Sequence, residues 1–136
     1  MPKVQAHIGQ QTYKTQVEAR THHILADEPL ERNGGDLGFT PTELLSASLA
    51  SCTAITLKMY VDRKEWLVED IWVEVDHETT QMNQTQFRRR IQVHAHLDDA
   101  QLQSLLKIAN ACPVHKLLSG QIEVSTQINQ DESRTV

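Results

Sequence analysis

The chain of 136 residues carries 13 basic and 18 acidic residues, which gives a net charge of −5 and a sequence pI of about 5.7. This acidic balance disfavours nucleic acid as a partner, because proteins that bind a phosphate backbone usually present a basic face. A chain of this length is most simply one domain with its own buried core, so residues 1–136 are interpreted as a single domain.

The N-terminal part of the chain, residues 1–38, is predicted to consist of strands and a loop. Apolar and polar residues alternate over 4–8 and 13–19, with Gly9-Gln10-Gln11 between them, which indicates a hairpin. A third strand is predicted over 22–26. The loop that follows contains the pattern Gly-Gly-x-x-Gly, but neither a preceding strand nor a following Lys-Ser/Thr makes it a phosphate loop. We interpret its glycines as turn residues.

A central helix is predicted over residues 40–65. Thr40 can cap it, Pro41 suits its first position, and Glu43 completes a capping box. No charged residue occurs from 44 to 57, and a helix that is apolar nearly all round is expected to be buried. We expect it to be too short to cross a bilayer, since a span needs about twenty apolar residues.

Residues 69–128 are predicted to hold strands, a second helix and a short helical turn. The pattern first indicates a strand at 71–75, a turn at 79–83 and a strand at 87–97. A helix capped by Asp98 follows, and its apolar stripe consists of Leu102, Leu105, Leu106 and Ala109. A helical turn from Cys112-Pro113 to Gly120, a strand at 122–128 and a frayed polar tail at 129–136 complete the chain. Arg89 is unusual because it falls on the apolar face of its strand. The whole pattern is α+β, with antiparallel sheets packed around the central helix.

The number of strands is small for a helix that is apolar on all sides. Six short strands from one chain cannot easily cover it. We therefore expect an intertwined homodimer in which each chain helps to cover the central helix of the other.

The two cysteines, Cys52 and Cys112, are the first candidates for chemistry. No charged-then-apolar segment begins the sequence, so we expect reduced thiols in a cytoplasmic protein. Cys52 lies more than two turns inside its helix, where the helix dipole has faded, and it is either an inert packed residue or a thiol activated by a cation. Candidate cations, all supplied from elsewhere in the chain, are Arg20, Arg32 and Arg89.

Cys112 stands at a predicted helix start, followed by Pro113. A helix N-terminus favours a thiolate, and His115 is placed to interact with that end. The alternative is a cysteine in a packed corner between helices.

Two motifs together, P-T-E-L-L-S-A-S-L-A-S-C-T-A at 41–54 and A-C-P-V-H-K-L-L-S-G at 111–120, resemble those of the OsmC/Ohr family of osmotically inducible and organic hydroperoxide resistance proteins. The resemblance covers nearly the whole chain, and the segments at 26–29 and 59–66 look closer to a third OsmC-like branch. It implies an interlocked homodimeric thiol peroxidase that uses no bound cofactor. By this resemblance, Cys52 forms a sulfenic acid on meeting an organic hydroperoxide, Cys112 resolves it as a disulfide, and an external dithiol restores both thiols.

Two family positions are not matched directly. The glutamate of the family follows the proline, where this chain has Thr42, so Glu43 is the substitute candidate although it already serves the capping box. The family arginine lies in the N-terminal strands, where Arg20 is the candidate. Both are predicted site residues by resemblance, and the departures predict weak activity or another substrate.

The alternative class is a dimer that binds a small hydrophobic ligand or a metal without turnover. His94-x-His96 has a spacing used in metal sites, but its strand face also carries Arg88, Arg90 and Gln92, which is typical of a solvated surface. We therefore predict no metal site. A carrier with an apolar dimer cavity and idle thiols stays open as the second reading.

Overall fold

The structure, a computed structural model, describes residues 3–131. Its elements are, in chain order, β1 (Gln5–Ile8), β2 (Thr15–Ala19), β3 (His22–Ala26), a 3-10 turn (Leu30–Arg32), α1 (Pro41–Lys64), β4 (Val68–Thr79), β5 (Thr85–Ala95), α2 (Asp99–Asn110) and α3 (Pro113–Ser119). The strands form two antiparallel sheets of order β1-β2-β3 and β4-β5. The predicted α+β class is confirmed.

The loop between β3 and α1 is held by one buried carboxylate. Asp27 accepts hydrogen bonds from the backbone amides of Glu28 at 2.7 Å and Leu37 at 3.3 Å. Burial by itself raises the pKa of Asp27, but these amides, with that of Gly35 and the charge of Lys14, bring the pKa below its ordinary value. The loop is thus pinned beside the start of α1.

The glycines of this loop are required by close packing of the backbone. A Cβ atom on Gly34 would lie 1.9 Å from the carbonyl oxygen of Glu28, and one on Gly38 would lie 2.0 Å from that of Leu25. None of the glycines described has a positive φ. The turn interpretation is therefore corrected: these positions exclude a side chain and do not need left-handed backbone.

The predicted boundaries of the central helix are confirmed. Thr40 caps α1 and accepts from the amide of Glu43 at 3.2 Å, while the Glu43 carboxylate accepts from the amide of Thr40 at 2.8 Å. Glu65, with φ of 57°, ends the helix in the left-handed region.

Only one face of α1 is buried within the single chain. The buried side chains are Leu49, Thr53, Leu57 and Val61. β4, α2 and α3 all pack against this helix, whereas the N-terminal strands contact mainly one another. The opposite side of α1 is therefore left open within the single chain, as expected for an apolar helix that six short strands cannot easily cover.

The expected limit on the length of α1 was wrong. The helix has 24 residues, and a window of 18 has a mean hydropathy of 1.4, which by length and composition is enough to cross a membrane. The prediction counted only the uncharged run of residues 44–57. It therefore underestimated the length of α1, because the helix continues past Lys58 to Lys64. This is weak evidence for a membrane span, since core helices of soluble proteins have the same properties.

The core forms where α1, α2 and the inner face of the β4–β5 hairpin meet. Leu57 and Val61 of α1 pack with Leu105 and Ala109 of α2, and partly buried residues of both strands surround them. Leu102 and Leu106 of the predicted α2 stripe are exposed. Half of that stripe is therefore left exposed among the described residues.

The last predicted strand, at 122–128, is wrong for the single chain. Residues 121–131 adopt no regular structure and are exposed. The sequence alternates as a strand does, but a strand is stable only when its backbone groups bond to a neighbouring strand, and no ladder reaches this segment in the part of the chain described. Of the tail predicted to fray, residues 132–136 lie outside the described residues.

Candidate functional site

The fold brings the two thiols together. Cys52 is partly exposed on α1, and Cys112 is fully buried just before α3. Both are free thiols, and Thr53, the residue next to Cys52, places its Oγ1 3.8 Å from Cys112 Sγ. Packing of α1 against α2 and α3 produces this contact between residues that are distant in sequence.

Cys112 is held in place as the N-cap of α3. Its backbone is extended, with φ of −66° and ψ of 144°, and Pro113 occupies the first turn. The backbone amide of His115 donates to Cys112 Sγ at 3.3 Å. The sulfur thus replaces the oxygen that usually caps a helix.

Thr53 links the sulfur to the rest of the site. Its Oγ1 donates to the carbonyl of Leu49 at 2.7 Å and lies 3.8 Å from Cys112 Sγ. The same oxygen accepts a hydrogen bond from Arg89 Nη1 at 3.0 Å. Thr53 therefore lies between a sulfur and a guanidinium group.

Arg89 reaches this site from β5. Besides Thr53, it bonds to Asn110 Oδ1 at 3.0 Å and to His115 Nδ1 at 3.3 Å through Nη2. An arginine can only donate, so the His115 Nδ1 atom accepts in this contact. All three partners are neutral acceptors, and Arg89 forms no ion pair within residues 3–131.

The neighbouring arginines behave differently. Arg88 and Arg90 lie on the outer face of the β4–β5 hairpin, where Asp76 pairs with both at 2.7 and 2.8 Å. Strand alternation separates them from Arg89. The inward direction of Arg89 was predicted from the apolar face of β5, and the structure confirms it.

The pKa of Cys112 is set by competing effects. Burial raises the pKa, since it disfavours a charged sulfur. Hydrogen bonds with the His115 amide, Thr53 and Cys52, together with the charge of Arg89, outweigh this effect and bring the pKa of Cys112 below its ordinary value. The hydrogen-bond donors and the cation around the buried sulfur thus outweigh the effect of its burial on the pKa.

Three other predicted residues lie outside this cluster. Glu43 is exposed and occupied by the capping box of α1. Arg20 is exposed in the turn between β2 and β3, with φ of 57°, and Arg32 lies 3.8 Å from Glu28 as a surface ion pair. Among the described residues, no contact joins any of them to either cysteine. Their roles in a site stay predictions.

Apolar surface borders Cys52. Leu45, Ile55 and Met59, here called the α1 flank, lie one or two turns from Cys52 on the same side of the helix. Ile55 is 55% exposed and Met59 is 66% exposed. A separate cavity of about 380 Å³ opens beside Arg89 and His115. Hydrophobic molecules or a second protein surface can therefore approach the partly exposed thiol.

The histidines considered as metal ligands, His94 and His96, form no metal-binding cluster among the described residues. His94 is hydrogen-bonded to Asp70 on the exposed face of the β4–β5 hairpin. Over residues 3–131, no group of three or more His, Cys, Asp or Glu side chains could hold a metal ion. The site chemistry described here is that of two thiols, one guanidinium group and neutral polar groups.

Sequence reasoning missed Thr53 and Asn110. Thr53 lies four residues from both Leu49 and Leu57, so it is a hydroxyl in the middle of the buried stripe of α1. That position was a usable signal, because a buried hydroxyl needs a partner. Asn110 is the last residue of α2, and no pattern in the surrounding sequence marks it as a site residue.

Comparison with known proteins agrees with this fold. A protein of Psychrobacter arcticus 273-4, described provisionally as an osmotic stress induced and detoxification response protein, is 25% identical, with a TM-score of 0.72 and 85% of each chain covered. The Mycoplasma pneumoniae OsmC-like protein is 16% identical, with a TM-score of 0.75 over 88% of each chain. The organic hydroperoxide resistance protein OhrB of Bacillus subtilis is 20% identical, with a TM-score of 0.61 over 88% of this chain and 91% of OhrB.

A search of curated protein sequences gave no match. The family model of OsmC-like proteins matches residues 34–127, a span that begins in the glycine loop and includes both cysteines and the whole Arg89 cluster. The chain belongs to the OsmC family.

Proposed function

We propose that this protein is a thiol peroxidase that reduces organic hydroperoxides. The observation that carries the proposal is that the fold brings a partly exposed Cys52 and a buried Cys112 to one site as free thiols, with Thr53, the neighbour of Cys52, 3.8 Å from Cys112 Sγ. In a two-cysteine peroxidase the first sulfur must meet the substrate and the second must reach the first. These exposures suit Cys52 for attack and Cys112 for resolution.

The proposed cycle has three steps. The Cys52 thiolate attacks the terminal oxygen of the hydroperoxide, the O–O bond breaks, and the alkoxide leaves as an alcohol after taking a proton. The Cys112 thiolate then attacks the sulfur of the Cys52 sulfenic acid, forming the disulfide and releasing hydroxide, which is protonated to water. An external dithiol reduces the disulfide by exchange, so the cycle uses no bound cofactor.

The substrate class follows from the surface beside Cys52. The exposed α1 flank offers apolar contact to an alkyl or aryl group, which hydrogen peroxide does not have. The B. subtilis relative is an organic hydroperoxide resistance protein, which supports the same class.

A homodimer is part of this proposal. The exposed leucines of α2 and the exposed apolar residues of 122–128 leave apolar surface open in one chain. A second copy would cover such surface and would also be the source of any Arg20 or Glu43 contribution to the site. Light scattering after size exclusion should give twice the chain mass, and a monomer would contradict this part.

Turnover is the direct test. With dithiothreitol as reductant, the protein should consume cumene hydroperoxide faster than hydrogen peroxide, and Cys52→Ser should abolish this activity. Cys112→Ser should lose the internal disulfide. Ser51→Ala, at an exposed neighbouring position, is the control and should keep full activity.

Absence of turnover in the wild-type protein would refute the peroxidase proposal. The exposed α1 flank would then favour the second candidate, a dimer that binds a small hydrophobic ligand.

A further inference from the structure

We propose that Arg89, acting through Thr53, is a positioning residue that keeps the Cys112 sulfur as a thiolate in the reduced protein. Cys112 then serves first as the base that accepts the Cys52 proton and later as the resolving nucleophile. The state of Cys112 is independent of turnover, whereas its two roles rest on the proposed peroxidase function.

The first support is the unusual position of Arg89. Its guanidinium group points inward from β5, and its partners among residues 3–131 are the neutral acceptors Thr53, Asn110 and His115. A partly buried cation is stabilised by a nearby negative charge. Among the described residues, the Cys112 sulfur lies beside this cluster, 3.8 Å from Thr53 Oγ1, and can supply that charge.

The second support is the set of donors around the sulfur. The His115 amide donates to Sγ in the structure. The Thr53 hydroxyl can turn from the Leu49 carbonyl toward Sγ, and that carbonyl keeps its helical hydrogen bond from the Thr53 amide. Arg89 donates to the same oxygen, which polarises the hydroxyl and strengthens it as a donor to sulfur.

The charged and titratable groups that face Cys112 come from three elements. They are Cys52 from α1, Arg89 from β5 and His115 from α3. No carboxylate of residues 3–131 forms a hydrogen bond with this sulfur. One cation and several hydrogen-bond donors therefore surround the Cys112 sulfur, and they oppose its protonation.

The arrangement gives a complete proton balance for the first reaction. In the proposed step the Cys52 thiol gives its proton to the Cys112 thiolate, which leaves a Cys52 thiolate and a Cys112 thiol. Cys52 attacks the hydroperoxide and becomes a sulfenic acid, and the departing alkoxide takes the proton from Cys112. Cys112 is then a thiolate again and can displace hydroxide from Cys52.

The test measures the ionisation of Cys112 alone. In a Cys52→Ser background the remaining thiol is titrated by the ultraviolet absorbance of its thiolate, with the Cys52→Ser, Cys112→Ser double variant as blank. Serine can still donate to Cys112 in place of Cys52. The titration midpoint should lie below the ordinary cysteine value of about 8.5.

Removal of Arg89 should raise this midpoint. Arg89→Met in the same background should lower the thiolate-to-thiol ratio at neutral pH about tenfold for each unit by which the midpoint rises. Arg89→Lys, which keeps the charge but not the planar fork, should restore part of the ratio. Arg88→Met is the matched control, because Arg88 pairs with Asp76 on the outer face, and it should leave the midpoint unchanged.

Two results would overturn the proposal. One is a Cys112 midpoint at or above the ordinary value in the Cys52→Ser protein, which requires no further variant. The other is an Arg89→Met titration that superimposes on that of Arg88→Met. If Arg89→Met loses its native circular dichroism spectrum, Thr53→Val is the deciding variant, and an unchanged midpoint there refutes the route through Thr53.

The outcomes for the two proposals are separable. A protein with the expected Cys112 titration that consumes no hydroperoxide refutes the peroxidase function and retains the thiolate. A protein that turns over with an ordinary Cys112 titration refutes the role of Arg89 and retains the peroxidase function.

Discussion

Thr53→Val is the most informative single substitution for the network between α1 and β5. Valine has nearly the shape of threonine, so the fully buried position keeps its volume and no cavity forms. The substitution removes the hydroxyl oxygen that accepts the hydrogen bond from Arg89 Nη1 at 3.0 Å. The Leu49 carbonyl also loses the hydroxyl at 2.7 Å, but its helical bond remains.

The expected loss in the free energy of unfolding follows from the hydrogen bond that the charged Arg89 donates to Thr53. Hydrogen bonds to charged groups contribute about 1.5–3 kcal/mol, and Arg89 keeps Asn110 and His115 as partners. We therefore expect the lower end, a loss of about 1.5 kcal/mol in the free energy of unfolding. Urea denaturation of the reduced protein, followed by circular dichroism, measures this loss as a shift in midpoint at constant slope.

A double-mutant cycle isolates the contact. Thr53→Val and Arg89→Met remove the same hydrogen bond, so the double variant should be more stable than the sum of the two losses implies, by at least about 0.5 kcal/mol. Additivity within about 0.3 kcal/mol would refute the reasoning, because uncoupled residues give that result.

Three further predictions concern the core and the glycine loop. Leu57→Ala should lower the free energy of unfolding by about 2–5 kcal/mol in urea denaturation, because Leu57 is fully buried among α1 and α2. Gly38→Ala should cost about 1–3 kcal/mol by the same measurement, because its Cβ would meet the Leu25 carbonyl. The third is a pH dependence: the native pKa of Asp27 lies below its ordinary value of 3.8, so its stabilisation is complete above that value and is lost as the pH falls through the native pKa. Melting temperatures in acid should therefore fall more steeply for wild type than for Asp27→Asn.

The substitutions at Leu57 and Gly38 each have a matched control. Met82→Ala, at an exposed position of the β4–β5 turn, should change stability by less than about 0.5 kcal/mol. Gly9→Ala should be tolerated, because no atom lies within 4 Å of its Cβ position. Equal losses at Leu57 and Met82, or at Gly38 and Gly9, would contradict the packing described, and parallel acid profiles would contradict the role of Asp27.

The elements that were predicted well are those with local signals. The capping box of Thr40 and Glu43 placed the start of α1, and Cys112-Pro113 placed that of α3. Strand alternation predicted that Arg89 lies on the inner face of β5, where it donates to Thr53 in the structure. Such features depend on neighbours in sequence, so a pattern is sufficient to find them.

What could not be predicted depends on contacts between distant segments. Alternation at 122–128 indicated a strand, but a strand also needs a neighbour, and the chain offers none among its described residues. The apolar pattern of α1 did not show which face the single chain covers, because that depends on the packing of β4, α2 and α3. The role of Thr53 depends on residues from β5 and α3 reaching the same atom, which no local pattern encodes.

The central claim is that Cys52 and Cys112 form a redox pair, and intact mass tests it most directly. The reduced protein receives one equivalent of cumene hydroperoxide and is then alkylated under denaturing conditions. We expect the loss of two hydrogens and of both alkylation sites, with no such change in Cys52→Ser or Cys112→Ser. Two fully alkylated thiols at every exposure time would contradict the claim.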